Sequence, residues 1–111
     1  MEKSAFVKVF GNSPVVKLMD FLLAERSLFD YTLTDIAENS GVSWTTLHRI
    51  FPVFEELGIV KETRTIARAK LYALDEEHPL VQKLVKLKGE ISDFFIQKEL
   101  EKQGLLIPVN A

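Results

Sequence analysis

The residues best suited to chemistry sit in one stretch, "GVSWTTLHRIF", Gly41 to Phe51. It carries the hydroxyls of Ser43, Thr45 and Thr46, the indole of Trp44, the imidazole of His48 and the guanidinium of Arg49. A core has no use for that mixture, and a solvated face seldom contains tryptophan. Hydroxyls and an indole N–H donate to phosphate oxygens, a threonine methyl meets a thymine methyl, and arginine reaches a guanine edge or a phosphate. A second group follows close behind. Lys61, Arg64, Arg68 and Lys70 lie within ten residues, with only Glu62 among them to oppose the charge.

Other chemistries are hard to build from this chain. It has two histidines, His48 and His78, and no cysteine, so no thiolate metal site, disulfide or cysteine nucleophile is available. There is no Gly-rich phosphate loop. The carboxylate pairs Glu55-Glu56 and Glu76-Glu77 are adjacent in sequence and point apart rather than into one site. The expectation is therefore no enzyme, no cofactor and no metal.

The 111 residues suit one modest core, and 47% hydrophobic with 27% charged residues is an ordinary globular composition. No apolar run approaches the ~18 residues of a membrane span. The opening "MEKSAFVKVF" is broken by lysines and does not resemble a secretory signal. Together with the missing cysteines this suggests a reducing cytoplasm. Net charge is −2, which at first sight disfavours nucleic acid, but the distribution differs from the sum. Residues 1–42 and 73–111 each carry −2, whereas residues 43–72 carry +2. A local basic patch acts at short range, because fields beyond ~10 Å are screened at physiological salt.

The elements that must position these groups follow from local signals. Residues 2–10 fit either a short helix or a strand. Ser13 as N-cap and Pro14 at the first helical position start a helix to about Arg26, apolar over most of its circumference. A short extended piece, "SLFDYT", precedes a helix capped by Thr32, with Asp35 in its first turn and Gly41 just past its end. Ser43 caps a third helix, 43–57, whose Leu47, Ile50, Phe51, Phe54 and Leu57 share one arc. Thr45, His48, Arg49 and Pro52 take the opposite arc with Trp44 at its edge, and Pro52 is expected to kink the helix near Phe51. Strands over 59–64 and 69–74 make a hairpin. Its link "TIAR" lacks an Asn-Gly signal and predicts a longer, looser tip. A final helix from His78 to Gln103 would span roughly 39 Å. It carries Leu80, Leu84, Leu87, Ile91 and Phe94 at 4-3-4-3 spacing, widened by Val81, Val85 and Phe95, and is followed by an apolar tail.

This order of elements, mainly α with a small β-hairpin, is of the α+β class. The span Leu33–Val60 resembles the winged helix-turn-helix of bacterial and archaeal transcription regulators in the broad MarR/ArsR-like group. The resemblance rests on Ile36-Ala37, the turn Gly41-Val42-Ser43, and Leu57-Gly58-Ile59-Val60, and covers about residues 14–75. It implies a DNA-binding domain over 1–77, with an N-terminal extension 1–12, followed by a dimerisation helix and tail over 78–111. It also implies a sequence-specific regulator, a homodimeric repressor, with the helix 43–57 in the major groove and the hairpin as a basic wing. The residues assigned to double-stranded DNA are then Thr34, Ser43, Trp44, Thr45, Thr46, His48, Arg49, Arg64, Arg68 and Lys70.

Each assignment has a blander counterpart. Trp44 can lie between helices as core, Arg49 can pair with Glu55 or Glu56, and the hairpin cations can simply protect a strand edge. The last helix, with Leu80, Leu84, Leu87, Ile91, Phe94 and Phe95, reads as a dimer interface, or as a helix folded back on its own domain. A small-molecule effector is conceivable in an apolar pocket lined by Phe6, Phe10, Phe21, Phe94 and Phe95, but aromatics at helical spacing are more often core. Two other readings stay open: a winged-helix module that binds protein, and a plasmid or viral replication or maintenance protein that binds DNA.

Overall fold

The computed structural model describes residues 3–26 and 29–104, and within them the chain is a mixed α and β structure of five helices and a two-stranded antiparallel sheet. The expected tail, 105–111, and the first two residues of the expected extended piece, 27 and 28, lie outside the described residues. The ambiguous N-terminal segment is a helix, α1 (Ala5–Phe10), whose Val7 amide is capped by the Ser4 hydroxyl. α2 (Pro14–Ala24) starts on the Ser13 cap with Pro14 in its first turn. α3 (Leu33–Ser40) has a reciprocal capping box between Thr32 and Asp35 and ends where Gly41 takes a φ of +76°, a conformation glycine adopts without steric cost. α4 (Trp44–Glu56) begins on the Ser43 cap and is continuous through Pro52. That proline lies on the exposed side, where water can satisfy the carbonyl that loses its amide partner.

Two expectations change at the end of α4 and at the hairpin. Helical periodicity places Leu57 on the inward arc, yet it is 56% exposed, because the helix ends at Glu56 and the chain turns at Gly58, φ +75°. The hairpin, β1 (Val60–Ile66) with β2 (Ala69–Leu74), closes in a tight two-residue turn rather than a loose tip. Ala67 and Arg68 both take positive φ, 48° and 72°. That pair of left-handed residues matches the right-handed twist of the strands, so cross-strand pairing imposes it even without Asn or Gly. A β-bulge interrupts the register between Glu62 and Arg64. The extended residue Tyr31 adds one bridge to the free side of β2, exchanging two backbone hydrogen bonds with Tyr72.

The core gathers one face from each element. Leu18 and Leu23 of α2, Ile36 of α3, Leu47 and Phe51 of α4 and Val81 of the last helix are all essentially inaccessible. Phe51 meets Tyr72 of β2 edge-on, with ring centroids 4.9 Å apart. Removing a side chain such as Leu47 or Phe51 by substitution to alanine would cost about 2–5 kcal/mol.

α5 (Pro79–Lys102) starts on His78, whose ring does two jobs. The Leu80 amide donates to Nδ1 at 3.1 Å, so the proton is on Nε2, which donates to the Leu57 carbonyl at 2.9 Å. One imidazole thus ties the end of α4 to the start of α5. Farther along, Lys88 forms a half-buried ion pair with Asp20 of α2, and its ammonium lies 5.4 Å from the Phe6 ring centroid. Leu84, Val85 and Ile91 pack against the core, and Lys8 sits over Phe95. The inner half of α5 is therefore already occupied by its own chain. Leu80, Leu87 and Phe94 are left exposed.

Candidate functional site

The outward flank of α4 is open among the described residues. Ser43, Trp44, Thr45, His48 and Arg49 are all exposed, and Thr46 is half-buried. Trp44 is not core. It is half exposed and stacks edge-to-face on His48, centroids 4.2 Å apart, one helical turn along. The Ser43 hydroxyl is spent on the helix start: it accepts from the Thr46 amide at 3.3 Å and donates to the Thr46 hydroxyl at 2.9 Å. Thr45, by contrast, keeps its hydroxyl free for an outside acceptor. Arg49 forms no ion pair with Glu55, Glu56 or any other described residue, so its guanidinium is uncommitted.

The structure brings Thr34, Trp44 and Lys70 together around one shallow hollow of about 280 Å³, between the start of α3, the start of α4 and β2. Thr32, Leu33, Ala69 and Tyr72 complete its lining. Tyr72 was not anticipated as part of this surface. It alternates with Lys70 along β2, a period of two that places both on the face turned toward α4. Burial, then the nearby Glu55, pushes the Tyr72 phenol above its usual pKa of 10.0, so it stays a neutral hydrogen-bonding group.

The hairpin cations do not form the single patch that their spacing suggests. Arg64 pairs with Leu71 in the register while Lys70 pairs with Thr65, so Arg64 and Lys70 lie on opposite faces. Arg64 is held by Asp30, Nε to Oδ2 at 2.8 Å and Nη2 to Oδ1 at 3.0 Å, and Thr63 donates to the same carboxylate at 2.6 Å. The Arg64 guanidinium, with the Thr63 hydroxyl after it, holds the Asp30 carboxyl down at about 2. The bulge at Thr63 is what points both side chains at Asp30, since the extra residue re-aims the strand locally. Lys61 sits 3.9 Å from Asp75 and Lys70 3.6 Å from Glu62. Three acids therefore meet this hairpin where the sequence suggested Glu62 alone. Arg68, at the tip, has no partner among the described residues.

The aromatics proposed for an effector pocket are dispersed. Phe6 and Phe10 line an apolar groove of about 270 Å³ with Val15, Val16, Met19, Leu84 and Leu87. Phe21 instead pairs with Tyr31, and Phe94 with Phe95, away from that groove. No group of three or more His, Cys, Asp or Glu able to hold a metal ion occurs among the described residues, and no described helix is long and apolar enough to cross a membrane. No family model, curated protein or solved structure matches the chain.

Proposed function

We propose that the chain is a sequence-specific double-stranded DNA-binding regulator of the winged helix-turn-helix kind, a homodimeric repressor that works in the cytoplasm. In this reading the helix 43–57 enters the major groove with its N-terminal end foremost. The hairpin 59–74 is the wing and lies along the phosphates or the adjacent minor groove. The observation that carries the proposal is the uncovered flank of α4, with Thr45 and Arg49 uncommitted, adjoining Lys70 across the Trp44 hollow. Thr45 and Arg49 supply base-edge contacts, Trp44 and Thr34 backbone contacts, and Arg68 and Lys70 phosphate contacts. The free face of α5 serves the homodimer.

One observation favours a second reading, a winged-helix module that docks on protein. Three of the four hairpin cations are already opposed by Asp30, Glu62 and Asp75, and the hollow beside Lys70 is lined by Trp44, Leu33 and Tyr72. Selection of bound duplexes from a random pool separates the two. DNA recognition by a two-fold dimer should enrich paired half-sites about one helical turn, ~34 Å, apart. No enrichment, with no salt-dependent shift of random duplex, refutes the first reading in favour of the second.

A further inference from the structure

The exposed stripe of α5 consists of Leu80, Leu87 and Phe94, seven residues apart and 46%, 39% and 55% exposed. Leu87 also borders the apolar groove beside the exposed Phe10 and Val15, so the uncovered apolar surface extends onto α1 and α2. At about 100° per residue, the side of the stripe away from the body carries Lys83, Lys86, Glu90 and Asp93, all exposed. Their order matters: two cations in the N-terminal half, then two anions. Only Lys86 and Glu90 are paired within the chain, at 3.9 Å with both side chains well exposed. Lys83 and Asp93 have no ionic partner among the described residues. Lys88, which would break the sequence of charges, is turned inward onto Asp20.

We propose that a second copy of the chain covers this stripe with its own α5 running antiparallel, about a two-fold axis at the level of residue 88. The inference rests on the homodimer reading and adds its orientation and register. The midpoint of 83 and 93 and the midpoint of 86 and 90 coincide at residue 88, so one axis brings Lys83 to Asp93 and Lys86 to Glu90 of the other copy at once. By symmetry this happens on both sides. The same axis puts Leu87 beside its own twin, and it brings Leu80 within two residues, about 3 Å of helix rise, of the other copy's Phe94. In a parallel pair the two-fold would run along the helices and carry the two charged flanks to opposite sides of the apolar seam, where Lys83 and Lys86 could not meet Asp93 and Glu90. A patch complementary to itself under a two-fold rotation is what an isologous contact requires, and an unrelated partner would have no need of it.

The absence of cysteine permits a single spin label at Lys102→Cys, an exposed position 14 residues beyond the axis. Across an antiparallel pair the labels should lie roughly 40 Å apart along the helices, whereas a parallel pair would hold them within about 20 Å. The double variant Lys83→Glu/Lys86→Glu should raise the dimer Kd about tenfold, and adding Glu90→Lys/Asp93→Lys should restore it. A short distance, or a dimer indifferent to the first pair of substitutions, overturns the antiparallel arrangement while leaving a dimer in place. A monomer at tens of micromolar overturns the dimer itself, and the DNA selection experiment still judges the duplex reading separately.

Discussion

Arg68 and Arg64 make a sharp test because the structure treats two similar residues in opposite ways. Arg68 stands at the hairpin tip with its guanidinium free, while Arg64 faces the other side of the sheet and is held at two points by Asp30. If the tip meets phosphates, Arg68 displaces about one condensed counterion, and its loss should lower the log–log salt slope of binding by roughly 0.9. Between 50 and 200 mM salt, a fourfold change, the parent would then lose about 3.5-fold more affinity than Arg68→Ala. Arg64→Ala should leave the slope unchanged within about 0.3, since the Asp30 carboxylate already offsets that charge. Anisotropy titrations on a mixed-sequence duplex at several salt concentrations measure both slopes. Equal losses from the two substitutions would mean that Arg64 leaves Asp30 to reach the duplex. An unchanged slope for Arg68→Ala would remove the tip from the interface.

Three further outcomes test the scaffold. Ala67→Asn should stabilise the fold by about 0.5–1 kcal/mol, raising Tm by roughly 3–6 °C, because asparagine tolerates the positive φ that alanine adopts at 48°; a lower melting temperature would contradict the tight turn. His78→Ala should cost about 1–2 kcal/mol in urea unfolding through loss of the α5 cap and the bond to Leu57, and His78→Asn should recover part of it. An alanine variant as stable as the parent would show that the ring bridges nothing of consequence. For Asp30 the folded-state pKa, about 2, lies below the ordinary 3.8, so the clamp's contribution is complete above about pH 4 and lost as pH falls toward 2. Asp30→Asn should therefore be less stable than the parent at neutral pH and converge with it in acid, and a gap constant down to pH 2 would count against the clamp.

Most of the helices were legible because their ends are local contacts. Ser13 with Pro14, Thr32 with Asp35, Ser43, and Gly41 in its left-handed conformation all act over three or four residues, so a reader of the chain meets both partners together. The exposed flank of α4 was legible for the same reason, since helical periodicity sorts Leu47, Ile50, Phe51 and Phe54 from Trp44, Thr45, His48 and Arg49 without any tertiary information. The hairpin turn was not, because Ala67 and Arg68 carry no turn signature and adopt their backbone only under the constraint of the paired strands.

Sequence alone thus determined where α2, α3, α4 and α5 begin and which side of α4 is polar, since caps and periodicity are properties of neighbouring residues. Tertiary structure decided which charges are free. Asp30 reaches Arg64 across 34 residues and Lys88 reaches Asp20 across 68. No spacing rule encodes such pairs, because an ion pair needs its partners within a few ångströms in space and is indifferent to their separation along the chain. The same packing divided the apolar seam of α5, turning Leu84 and Ile91 to the body and leaving Leu80, Leu87 and Phe94 uncovered, a division that depends on where α1 and α2 come to rest.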